Sequence, residues 1–166
     1  LRKDYSDGFR KNLYLDKSDT SKKDESTFRL KTNWKANDKT LVKTLITKID
    51  MDDPADIWTI DGSLNTLSDR PGMDSQKTDA YGLKIFHQFR RLELQSLTSS
   101  TDTNVELSYD ADWGNSISHA PYIYDYFSET IRNRDTFSQE FRLVSDFEES
   151  RSAKSTEWVI GLSYFD

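Results

Sequence analysis

Seven strand-like stretches of this chain are joined alternately by short links and long polar loops, and this rhythm limits its possible folds more than any single motif does. Gly8–Asp16 runs into the loop Lys17–Asp24, and Glu25–Lys35 turns tightly at Ala36-Asn37-Asp38. Lys39–Met51 leads into the long segment Asp52–Thr78, and Asp79–Gln88 turns at Phe89-Arg90-Arg91. Leu92–Tyr109 opens the long segment Asp110–Thr130, and the polar link Asp146–Ser155 joins Ile131–Ser145 to Thr156–Asp166. Antiparallel strands reverse at every connector, so alternating long and short connectors fall on opposite rims. The pattern predicts an all-β, antiparallel up-and-down meander of about seven strands. Function is expected on the long-loop rim, because loops carry binding chemistry more often than the scaffold does.

The side chains alternate as half-buried strands require. Phe28, Leu30, Thr32 and Trp34 share one face, opposite Thr27, Arg29, Lys31, Asn33 and Lys35. Tyr81, Leu83, Ile85, His87 and Phe89 oppose Gly82, Lys84 and Gln88, with Phe86 the exception. Phe137, Phe141 and Leu143 oppose Ser138, Glu140 and Arg142, and Trp158, Ile160, Leu162 and Tyr164 oppose Val159, Gly161, Ser163 and Phe165. Lys39–Met51 is apolar on both faces, with Val42 and Ile46 on one and Leu45 and Ile49 on the other. Leu92–Tyr109 changes phase between Leu94 and Leu97, which predicts a bulge. Aromatics gather at the short-turn ends: Trp34, Phe89 and Trp158. Two architectures accommodate this. A membrane barrel places such rings in interfacial girdles and turns its polar face to a lumen. A soluble sandwich uses the same rings in its core.

Composition narrows the function classes. Of 166 residues, 34% are apolar and 31% charged, a thin core for a soluble globule, while 13% aromatics is too many for a disordered chain. The net charge of −6, with Lys and Arg scattered among the acids, argues against a nucleic-acid surface. The chain has no Cys, so disulfides and thiolate chemistry are excluded. No apolar run approaches the ~20 residues of a membrane helix. The opening Leu1-Arg2-Lys3-Asp4 carries no signal peptide, and the chain is expected to be one piece of a longer precursor.

The segment Thr136-Phe137-Ser138-Gln139-Glu140-Phe141-Arg142-Leu143-Val144-Ser145, followed by Glu157-Trp158-Val159-Ile160-Gly161-Leu162-Ser163-Tyr164-Phe165, resembles paired barrel strands of TonB-dependent outer-membrane receptors. Leu94-Gln95-Ser96-Leu97-Thr98-Ser99, leading to Tyr109-Asp110-Ala111-Asp112-Trp113-Gly114-Asn115, is similar to another such strand and its extracellular loop. Asp7-Gly8-Phe9-Arg10-Lys11-Asn12-Leu13-Tyr14-Leu15 also matches the family's style. The resemblance implies that residues 1–166 are an arc of a large outer-membrane β-barrel of about 22 strands. The plug domain, the short TonB-contacting box and the remaining strands would lie outside them. It further implies a receptor in the bacterial outer membrane that binds and imports a scarce small-molecule nutrient. That nutrient is commonly a ferric siderophore (iron transport), sometimes a cobalamin or an oligosaccharide. TonB would be reached only through the missing N-terminal region, and this segment alone is not expected to transport.

Nothing in the chain points to catalysis or a cofactor. His87 and His119 are the only histidines, one mid-strand and one in a loop, and no nucleophile elbow, dinucleotide fingerprint or P-loop occurs. Asp50, Asp52, Asp53 and Asp56 cluster at a strand end, and Asp110-x-Asp112-x-Gly114-Asn115 resembles the start of a calcium loop. Counting from Asp110, the twelfth position is Pro121, so an EF-hand is excluded. An irregular calcium site and plain turn-forming Asp residues remain, the second favoured. Ligand contact is expected from Trp113, Tyr122, Tyr124 and Tyr126, amphipathic rings on one loop, with Trp58 on Asp52–Thr78 the second candidate. The alternative is a soluble β-sandwich carbohydrate-binding module using the same rings, and a purely structural surface protein shares that geometry. The Phe28/Leu30/Trp34 face separates them, pointing to lipid in a barrel and to a second sheet in a sandwich.

Overall fold

A computed structural model describes residues 1–145 and 156–166, so the expected link Asp146–Ser155 lies outside the described residues. These residues are all-β. The strands are β1 Arg2–Ser6, β2 Lys11–Asn12, β3 Lys23–Asn37, β4 Thr40–Pro54, β5 Asn65–Thr66, β6 Met73–Gln88, β7 Leu92–Asp110, β8 Phe127–Ser145 and β9 Val159–Phe165. Seven form one sheet in the order β1-β3-β4-β6-β7-β8-β9, each beside its predecessor, as the up-and-down meander requires. β8 and β9 pair antiparallel, with Phe141 opposite Leu162 and Leu143 opposite Ile160.

Three details depart from the sequence reading. The first strand of the sheet is β1, which pairs with β3 from Arg2 opposite Thr27 to Ser6 opposite Lys23. Gly8–Asp16, expected as that strand, instead forms loop structure. Gly8 has φ of 77°, and a Cβ there would collide with the Ser21 and Lys22 backbone, so the chain turns where the apolar pattern suggested extension. Within this loop, β2 makes a two-stranded parallel pair with β5. The expected bulge between Leu94 and Leu97 is absent. Phe89 donates to Leu92 on one side of it and the Thr78 and Thr103 hydroxyls meet on the other, both in the same β6–β7 register. Leu94 and Leu97 therefore lie on opposite faces of an unbroken strand. Finally, β4, β6 and β8 extend beyond their expected ends toward the long loops, so those loops are shorter than the polar sequence implied.

The described residues divide into two compact units. The first is Leu1–Phe28, Ile49–Thr78 and Thr103–Asn133; the second is Arg29–Lys48, Asp79–Asp102 and Arg134–Asp166. The connectors Ser6–Lys23, Pro54–Met73 and Asp110–Phe127 all belong to the first, and the tight turns after Asn37 and Gln88 to the second.

In the second unit cross-strand contacts identify one continuous face. The Thr32 and Thr44 hydroxyls meet at 2.6 Å, Thr40 Oγ1 lies 2.8 Å from His87 Nδ1, and Thr98 donates to Gln139 at 2.6 Å. With the β8–β9 register, this places Leu30, Trp34, Tyr81, Leu83, Phe89, Phe137, Phe141, Leu143, Ile160 and Leu162 on the same side. All of them are exposed, Trp34 at 63% and Leu162 at 75%. Among the described residues no second layer of this unit covers them, whereas a sandwich would bury them. Burial in the described residues is inverted from the ordinary pattern: the buried apolar side chain is Ala55, and the other buried side chains are polar, including Asn12, Asp56, Thr66, Ser68, Asp110 and Asn115.

Candidate functional site

The first unit gathers the long loops around a buried polar network. Asn12 is only 1% exposed, and its amide donates to Asp56 Oδ2 and to the Ser68 carbonyl, both at 2.8 Å. Its oxygen accepts from the Tyr14 and Leu15 N–H groups at 3.0 and 2.9 Å. Thr66 donates to the same Asp56 oxygen at 2.8 Å. Asn115 supplies a second tie, donating to the Leu67 carbonyl at 2.7 Å, and the Asp69 N–H donates to the Gly114 carbonyl at 3.0 Å. Residues 66–69 are thus held between the N-terminal loop and the aromatic loop. Buried polar groups need such partners, and together these partners fix where each loop goes.

The calcium-like motif is used to fold its own backbone. Asp110 Oδ1 accepts from the Asp112 and Trp113 N–H groups at 3.1 and 3.2 Å. Asp112 Oδ1 accepts from Gly114 at 3.1 Å and Oδ2 from Tyr126 at 2.8 Å. His119 Nε2 stands 3.4 Å from Asp112 Oδ1 and 3.2 Å from the Asp112 carbonyl. Burial disfavours the Asp112 charge, but the Tyr126 and Gly114 N–H groups, the Asp110 side chain and His119 outweigh it and hold the carboxyl below its ordinary value. Asp110 Oδ1 and both Asp112 oxygens thus face amide protons, as the turn-forming reading of the motif expects, while Asp110 Oδ2 is buried without a hydrogen-bond partner among the described residues.

This scaffold presents the candidate rings. Tyr122, Tyr124 and Tyr126 form a ladder, with centroids 6.2 and 6.1 Å apart and planes inclined at 28° and 32°. They are 66%, 43% and 62% exposed, and the His119 ring meets Tyr124 edge-on at 5.2 Å. Trp113 is also exposed and sits at φ 64°, a left-handed conformation costly for a bulky side chain, held by the bond from its N–H to Asp110. Trp58 does not join the ladder: it is half-buried, and its ring packs on Tyr109 at 4.8 Å. Arg70 reaches the aromatic loop, pairing with Asp125 at 3.0 Å while lying 4.5 Å over the Phe127 ring. His87 is tied to Thr40 and packed edge-on to Phe89, a structural role.

In the second unit, sheet pairing gathers the lysines that the strand-by-strand reading placed on the polar face, and adds Lys43 to them. On its polar face a concavity of about 590 Å³ is lined by Lys31, Lys43 and Lys84, with Glu140 neutralised by Arg142. It is suited to attracting anions. The lysines are far apart in sequence, and only sheet pairing brings them to one surface. A scan against protein-family models and searches of curated proteins and of solved structures found no match to this chain.

Proposed function

We propose that this chain is part of the barrel wall of a TonB-dependent outer-membrane receptor, which binds and imports a scarce nutrient. The observation that carries the reading is the uncovered apolar face of the second unit. Along β6 and the first residue past its end it runs from Tyr81 to Phe89, about nine residues, within the ~9–11 residues of a membrane-crossing strand. It stops at charge: Lys48 and Asp79 pair at 2.8 Å just beyond Tyr81 and Ile46. Phe89, Trp34 and Trp158 stand at its short-turn end, where an interfacial girdle belongs. Several polar side chains on this face bond to one another. Thr32 pairs with Thr44, and Gln139 bonds Thr98 and Ser96, so little polar surface would be left bare in lipid. The free edges of β1 and β9 would be paired by further strands of a larger barrel, since lipid does not tolerate open edges.

The test is a pair of arginine substitutions in the full-length protein carrying this chain, expressed in a Gram-negative host. Phe141 lies midway along the apolar stretch of β8, and Phe141→Arg is expected to lower stability in a bilayer by about 2–4 kcal/mol. Ser138→Arg, on the polar face, should cost little. Wild-type protein should fractionate with the outer membrane. Soluble protein in which Phe141→Arg changes stability by less than about 0.5 kcal/mol would refute the reading.

A further inference from the structure

We infer that the tyrosine ladder is a platform for a neutral, ring-built ligand, a linear oligosaccharide, and not for an anionic ferric chelate. The inference names the cargo class of the receptor proposed above and rests on that reading for its biological route. Its chemistry rests on the ladder alone.

Three observations carry it. First, Tyr122, Tyr124 and Tyr126 present a row of exposed rings at regular spacing of 6.2 and 6.1 Å, matching a ligand that repeats along its length. The C–H faces of pyranose rings pack on aromatic faces, burying apolar area with little loss of hydration elsewhere. Second, the three phenol hydroxyls make no hydrogen bond within the described residues, so their donors and acceptors are free for sugar hydroxyls. Third, the surroundings are acidic, with Asp110, Asp112, Asp125 and Glu129 on the loop. No Lys or Arg occurs between Tyr109 and Ile131. The cation that reaches the loop, Arg70, is paired with Asp125. Asp112 is held by backbone N–H groups and His119. A trianionic ferric tris-catecholate would meet rings with no free cation beside them, a poor exchange for its hydration. A neutral glycan loses nothing by that absence.

The experiment uses the full-length protein in the outer membrane of intact cells, titrated with fluorescent linear hexaoses (α-1,4-glucan, β-1,4-glucan and β-1,4-xylan) and, separately, a ferric tris-catecholate. At least one hexaose should bind. Tyr122→Ala and Tyr126→Ala should each weaken it roughly tenfold, and Tyr122→Phe less than about fivefold, because the ring is retained. Binding of no hexaose by correctly inserted protein overturns the inference while leaving the receptor reading intact. So does hexaose binding that the double alanine variant leaves unchanged, or catecholate binding that the same variant abolishes. If the protein is absent from the outer membrane, the receptor reading fails. The same titration on purified protein then still decides the ladder's chemistry.

Discussion

Replacing Asn12 by Ala should loosen the long loops while leaving the strands of the second unit intact. The Asn12 side chain makes four hydrogen bonds, two donated to Asp56 and Ser68 and two accepted from Tyr14 and Leu15. The bond to the Asp56 carboxylate is worth about 1.5–3 kcal/mol, and stranding the buried Ser68 carbonyl costs about 1–3 kcal/mol. The Tyr14 and Leu15 amides can turn to water and add little. The expected loss is therefore about 3–5 kcal/mol, concentrated in local opening. Hydrogen exchange with mass readout measures it directly: amides of residues 55–69 should exchange faster by at least on the order of 100-fold, with residues 92–102 unchanged. Asp56→Ala should do the same, and the double variant should be less than additive, because both changes break one network. Unchanged exchange at 55–69, or an equal rise throughout the chain, would refute the idea that this network holds the loops locally.

Gly72→Ala tests a close approach: a Cβ there would overlap the Ser108 carbonyl, so β6 and β7 must part near the long loops. A stability loss of about 3 kcal/mol or more is expected by denaturant titration, and a neutral result would refute the packing. Asp112 has a depressed folded-state pKa, so its contribution is fully present above the unfolded value near ~3.9 and is lost as pH falls through the lower folded value. Protection of the Tyr126 and Gly114 amides should therefore be flat from neutral pH to about 5 and fall below about 4. In Asp112→Asn that acid-dependent step should disappear.

Period-two alternation is local, so strand identity and face assignment were legible from residues alone: Phe28, Leu30 and Trp34, or Phe137, Phe141 and Leu143, can lie on one side only. The connector rhythm likewise determined the meander, because neighbouring antiparallel strands need no long-range information. The exposure of the tyrosines followed from their placement in a polar, Gly- and Asn-containing loop. Tertiary structure decided what depends on distant partners. Gly8–Asp16 has the pattern of a strand, but Asn12 bonds to residues 44 and 56 positions away, and that network bends the segment into a loop. β1, short and polar, is a strand because β3 offers it a partner. The phase change at Leu94 and Leu97 could mean a bulge or a two-sided strand, and only the fixed register with β6 selected the second. The same alternation suits a sandwich core or a lipid-facing wall, since periodicity records that one face is apolar and not what covers it. What the tertiary structure adds is that the described residues leave that face bare and bury polar side chains instead.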